Sequence, residues 1–199
     1  MDSGEHVGGF TSLALDADGY PHISYYGNLN YATLDASGWH TQTVDSEGEV
    51  GYFTSLALDR DGNPHISYSL WEEGFIYDLK YATLDASGWH TQTVDSAGSV
   101  GEYTSLALDT DGYPHISYFD DTNDDLKYAY LDASGWHTET VDSVGYVGEY
   151  TSLALDADGY PHISYYDASN GDLKYATLVE GSYKVLLPLV VNGLSDKTR

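Results

Sequence analysis

Cysteine is absent from this chain, and basic residues nearly so: 7 Lys and Arg stand against 32 Asp and Glu, for a formal charge of −25. The first absence excludes a disulfide framework, a thiol nucleophile and a thiolate-held metal. A surface this acidic repels phosphate backbones and anionic headgroups, so nucleic acid and membrane surfaces are excluded as expected partners. Cations, basic proteins and neutral glycans stay open. Long apolar runs are also missing. The longest, residues 185–191, is broken by Pro188 and falls far short of the roughly 20 residues that span a bilayer. No secretory leader precedes the first repeat, so the expectation is an excised module or one whose targeting segment has been removed. Charge of this size can accompany disorder, but 14% aromatic residues in regular alternation argue for a folded chain.

What fills the sequence is repetition. The string TSLALD begins at Thr11 and returns at Thr54, Thr104 and Thr151, at spacings of 43, 50 and 47 residues. Each copy continues through DG-x-PHISY and L-[KN]-YA-x-L, and three copies end in DASGWHT-[QE]-TVDS. Residues 32–46 and 82–96 are identical, which points to recent duplication and means that a residue's recurrence is not itself a sign of function. The length differences fall between PHISY and the next Leu, marking a tolerant loop.

Each copy carries four strand signals. In the last, Thr151, Leu153 and Leu155 alternate with Ser152, Ala154 and Asp156. The Asp156–Gly159 turn follows, then a strand opened by Pro161, a third over 173–178, and a fourth seen best at 136–141. No apolar 3.6-residue period is sustained. Four strands in a period of 40–50 residues predict an all-β chain, a β-propeller of four four-stranded antiparallel blades. The blades are expected near 7–46, 50–96, 100–143 and 147–192, with 193–199 as a tail. A parallel β-helix, the main rival, has shorter coils without four tight turns per repeat. Two closures are open: a four-bladed monomer, or two chains forming an eight-bladed ring. The apolar stretch from Leu186 to Val191 needs cover and is a candidate for self-association.

The whole unit, TSLALD-x-DG-x-PHISYYD followed by DLKYATL, resembles repeats of large secreted or surface-exposed bacterial proteins. That resemblance covers residues 7–178 and implies a propeller fold and an extracellular or cell-surface setting, with no activity to carry over. The Asp-box of sialidase-type propellers does not fit: Gly19 falls three residues after Asp16 and no Trp follows. WD-repeat blades offer a structural analogy, since Asp16, His22, Ser24 and Trp39 supply the same four residue types in a different order.

Three constellations carry possible chemistry. Paired Asp residues recur on the first turn: Asp16 and Asp18, Asp59 and Asp61, Asp109 and Asp111, Asp156 and Asp158. Such carboxylates suit Ca²⁺, but the motif is too short for a full calcium loop, and an Asp-capped turn is the simpler reading. The PHISY histidines (His22, His65, His115, His162) can ligate a transition metal. Packing against a Ser or Asp partner between blades is favoured for them, with His40, His90 and His137 placed at the surface. An aromatic precedes each Thr-Ser: Phe10, Phe53, Tyr103 and Tyr150, with Glu102 and Glu149 beside the last two. In the loop that links each fourth strand to the next first strand, these would form aromatic platforms with hydroxyl acceptors, suited to neutral sugars. Filling the wedge between blades is the competing reading. Catalysis finds little support: only Arg60 and Arg199 are available where sialidase-like propellers use three arginines, and neither G-x-S-x-G nor HExxH is present. The expected function is a non-enzymatic extracellular module that binds carbohydrate weakly and multivalently. The alternative is a structural or protein-docking scaffold, with a glycoside hydrolase the least favoured reading.

Overall fold

The computed structural model describes residues 7–179 and 181–186. The expected architecture is found: among the described residues sixteen strands form four separate four-stranded sheets, each a meander in chain order. Blade 1 comprises β1 (Ser12–Leu15), β2 (Pro21–Tyr25), β3 (Leu29–Asp35) and β4 (Gly38–Asp45). Blade 2 comprises β5 (Glu49–Leu58), β6 (Pro64–Glu72), β7 (Ile76–Asp85) and β8 (Gly88–Asp95). Blade 3 comprises β9 (Val100–Leu108), β10 (Pro114–Asp120), β11 (Asp125–Asp132) and β12 (Gly135–Asp142). Blade 4 comprises β13 (Val147–Leu155), β14 (Pro161–Asp167), β15 (Asp172–Val179) and β16 (Ser182–Leu186). The expected last blade runs on to residue 192, and the apolar stretch beyond Leu186 lies outside the described residues. No described helix is long and apolar enough to cross a membrane.

Among the described residues the hydrophobic core forms three clusters, each straddling a junction between consecutive blades. At the first, Leu29, Tyr31 and Val44 of blade 1 meet Val50, Leu56, Ile66, Tyr68 and Ala82 of blade 2. Equivalent residues build the second and third junctions. A single blade has one layer of sheet and cannot bury both faces alone, so stacking supplies the core.

Polar pairs repeat at the same junctions. Ser24 Oγ lies 2.7 Å from Thr54 Oγ1, Ser67 from Thr104 at the same distance, and Ser117 pairs with Thr151. The amides of Leu56, Leu106 and Leu153 each donate to a serine hydroxyl of the preceding blade at 3.0 Å. First strands pack β1 on β5, β5 on β9 and β9 on β13; among the described residues no comparable packing joins β13 back to β1.

Candidate functional site at the propeller axis

The four aromatics singled out in the sequence come together, and three of them lie in strands rather than in a loop. Phe53, Tyr103 and Tyr150 lie inside β5, β9 and β13, and Phe10 stands just before β1. The long first strand exists because a glycine lets it begin against the preceding blade. A Cβ on Gly101 would come within 2.8 Å of Leu79 Cα, and one on Gly148 within 2.8 Å of Leu126 Cα. The strand then bulges: Glu102 pairs with Phe119 and Ser105 with Ser117, so Tyr103 and Thr104 together face only Tyr118. The same two-against-one count holds at Phe53 and Tyr150.

At each bulge the aromatic takes a left-handed backbone, with φ of 47° at Phe10, 49° at Phe53 and 53° at Tyr103 and Tyr150. A bulge of this kind normally uses glycine, and a bulky side chain there is strained by about 1–2 kcal/mol. The next blade holds the strained unit: Thr54 Oγ1 donates to the Phe10 carbonyl at 2.7 Å and Thr104 Oγ1 to the Phe53 carbonyl at 2.9 Å. The rings follow one another around the axis, with centroids 4.9 Å apart from Phe10 to Phe53, 4.9 Å from Phe53 to Tyr103 and 4.5 Å from Tyr103 to Tyr150. With the threonines that follow them they line an open concavity of about 350 Å³.

Carboxylates flank this belt. Burial pushes the Glu102 carboxyl up to about 7, helped by the negative charges of Asp121 and Glu149. Glu149 is raised for the same kind of reason, burial first and then Asp121. Near neutrality Glu102 is therefore divided between a protonated form that donates a hydrogen bond and an ionised form that only accepts. Burial, reinforced by a hydrogen bond with Tyr150, also raises the Tyr103 phenol, so it stays a neutral donor.

Several participants were not singled out from sequence. Tyr26 and Tyr52 join hydroxyls at 3.1 Å, Tyr52 donates to Glu49 at 3.2 Å, and Tyr77 packs edge-on against both Tyr52 and Phe53. Tyr26 and Tyr77 sit in or beside the length-variable loop, whose irregularity was the available signal.

The paired Asp residues lie at the opposite end of the first strands. Asp16 Oδ1 accepts from the amides of Asp18 and Tyr20 at 3.0 and 2.8 Å. Asp59, Asp109 and Asp156 cap their turns alike, receiving the amides of Asp61, Asp111 and Asp158. Those backbone bonds, the one from Tyr20 foremost, hold Asp16 below the usual carboxylate range. Among the described residues no group of three or more His, Asp or Glu is placed to hold a metal ion.

The PHISY histidines pack within their own blades rather than between blades. His22, His65, His115 and His162 hydrogen-bond through Nδ1 to the hydroxyls of Tyr31, Tyr81, Tyr128 and Tyr175. Their Nε2 atoms face the turn aspartates at 3.3–3.7 Å. The analogy to the WD blade does not hold in detail, since Ser24 bonds the next blade instead. His40, His90 and His137 are surface groups, each 3.0 Å from Asp35, Asp85 or Asp132.

Comparison with solved structures establishes the fold. AofleA from Arthrobotrys oligospora superposes with a TM-score of 0.63 at 14% identity, over 90% of this chain and 57% of that one. The Hadza microbial sialidase Hz136 gives 0.63 at 12% identity, over 90% and 46%. A GH43 enzyme from Xanthomonas citri, solved with xylose, gives 0.55 at 12% identity, over 90% and 74%. The chain thus spans about half the length of the first two. No protein-family model and no curated protein matches the chain.

Proposed function

We propose that this chain is a non-enzymatic recognition module of an extracellular or surface protein, binding carbohydrate weakly at the axial concavity. The observation that carries this reading is the belt of Phe10, Phe53, Tyr103 and Tyr150, each held in a left-handed conformation that its residue type disfavours. A bulky residue held in a strained backbone conformation is more common at functional sites than in plain packing. Aromatic faces accept the C–H surface of a sugar, while Glu102 and Glu149 accept hydrogen bonds from its hydroxyls. Repetition gives several weak contacts on one face, which multivalent glycans convert into avidity. Two of the solved structures that share the fold support a sugar ligand: one is a sialidase and one was solved with xylose.

The test is a broad glycan array, run once in calcium and once in chelator. Binding to one sugar class, lost in a folded Tyr103→Ala/Tyr150→Ala variant, is the expected outcome. Loss in chelator would give the Asp-capped turns a metal role. A blank array in both buffers overturns the reading in favour of a protein-docking scaffold.

A further inference from the structure

Four blades make three junctions, and each junction is built from two different halves. The trailing half, on blades 1 to 3, supplies Leu29, Leu79 or Leu126 and the serines Ser24, Ser67 or Ser117, all with no solvent exposure. The leading half, on blades 2 to 4, supplies Leu56, Leu106 or Leu153, less than 10% exposed, and Ile66, Ile116 or Ile163, fully buried. Blade 4 carries a trailing half and blade 1 a leading half that meet nothing comparable among the described residues. Leu173, equivalent to Leu29, is 66% exposed, and Leu13, equivalent to Leu56, is 61% exposed. Beside Leu13, an apolar pocket of about 200 Å³ opens between Val7, Thr11, Ile23, Ala32 and Trp39.

The two open halves also differ from the internal ones in a matched way. Asn30 stands where Lys80, Lys127 and Lys174 reach back to an aspartate, as the shared register shows. Its amide is turned into its own blade, donating to the Gly27 carbonyl at 2.6 Å. Blade 1 therefore presents no lysine to a preceding blade. On blade 4, Leu186 pairs with Tyr175 where Gln42 pairs with Tyr31. Gln42 and Gln92 accept from the indoles of Trp89 and Trp136 across the internal junctions at 2.9 Å. A junction of blade 4 with blade 1 would instead set the exposed Leu186 against Trp39, apolar against apolar. The aromatic belt is open at the same place: Phe10 is 44% and Tyr150 66% exposed.

We propose that a second copy of this chain closes the ring, blade 4 of each copy receiving blade 1 of the other through two identical head-to-tail junctions. Two copies bring the blades to eight, the top of the range of roughly four to eight blades that propellers use, and a third copy would exceed it. This inference does not depend on the glycan reading, since the blade faces carry it whether or not the axial belt binds a sugar.

Light scattering after gel filtration of the full chain tests it. Wild type is expected at twice the chain mass. Leu13→Glu and Leu173→Glu, both at exposed positions, are each expected to run as folded monomers by circular dichroism. Mixing the two variants is expected to restore a dimer, because one of its two junctions then pairs wild-type halves. A wild-type monomer, a mass of three or more chains, a Leu173→Glu variant that still dimerises, or failure of the mixture to reassociate would each overturn the proposal. A closed dimer with a blank glycan array would leave this inference standing and sink the glycan reading alone.

Discussion

Lys80 Nζ lies 2.6 Å from Asp45 Oδ2 across the junction of blades 1 and 2, with both side chains almost closed to solvent. Tyr68 donates to the same oxygen at 2.6 Å. The arrangement recurs as Lys127 and Tyr118 on Asp95, and as Lys174 and Tyr165 on Asp142. Three of the chain's seven basic residues are thus buried between blades. Burial pulls Asp45 upward, but the hydrogen bonds from Lys80 and Tyr68 outweigh it and leave the carboxylate below its ordinary range.

Removing the cation strands that charge. Lys80→Met is expected to cost about 3–5 kcal/mol, because Asp45 is then buried with only neutral donors. The double variant Asp45→Asn/Lys80→Met is expected to lose less than the sum of the single variants, and urea denaturation of all four proteins measures the coupling. The pair's contribution is present above the ordinary Asp pKa and lost as pH falls through the lowered folded value. Additive losses would show that Lys80 acts through packing alone.

Repeat, strand order and turns were legible because their signals are local: alternation in TSLALD and the Asp-capped turn with Gly19 at φ 83°. The junction pairs were not. Asp45 and Lys80 are 35 residues apart, and which strand of the next blade they meet is decided by stacking, not by nearby sequence. The bulge was hidden for another reason. Left-handed backbone is normally announced by glycine or asparagine, and here it is taken by Phe53 and its equivalents. Residue type therefore picks out the aromatics, but three of the four lie within strands and not in the expected loop. The Tyr31 partner of His22 was missed because alternation sets the face of a residue and not its neighbour across the sheet.

Two glycines of blade 3 separate backbone conformation from crowding. Gly112 has φ 88° with open space where a Cβ would sit, whereas Gly101 has φ 101° and a Cβ would press on Leu79 of the preceding blade. Gly112→Ala should cost about 1–2 kcal/mol, the left-handed penalty alone. Gly101→Ala adds overpacking at the junction and should cost about 2–4 kcal/mol. Equal losses in chemical denaturation would mean that β9 does not approach blade 2 so closely.

Glu102 gives stability a pH dependence of unusual sign for an acid. Its folded pKa of about 7 lies above the ordinary 4.5, so the unfolded chain releases the proton first. Stability from this group is full below pH 4.5 and declines as pH rises towards 7. At full value the shift corresponds to about 3 kcal/mol, and partial solvent access reduces the expected figure to about 1–2 kcal/mol. Glu102→Gln should remove that decline. Comparing the variant with wild type at pH 5 and pH 8 subtracts the opposite trend from His65 and His115, whose pKa values burial lowers. A variant that tracks wild type at both pH values would place Glu102 in solvent.

Phe53 tests whether the axial belt is kept for binding at a cost in stability. Its φ of 49° suits glycine, yet its ring packs 4.9 Å from both Phe10 and Tyr103. Phe53→Ala loses the ring contacts and keeps the backbone strain; Phe53→Gly loses the same contacts and relieves the strain. The glycine variant should therefore be the more stable of the two by about 1 kcal/mol, and both should lose glycan binding to a similar degree. If the alanine variant were as stable as the glycine variant, the left-handed bulge would carry no strain. Backbone conformation would then give no reason to assign the belt a function, even if the fold and its junctions stood unchanged.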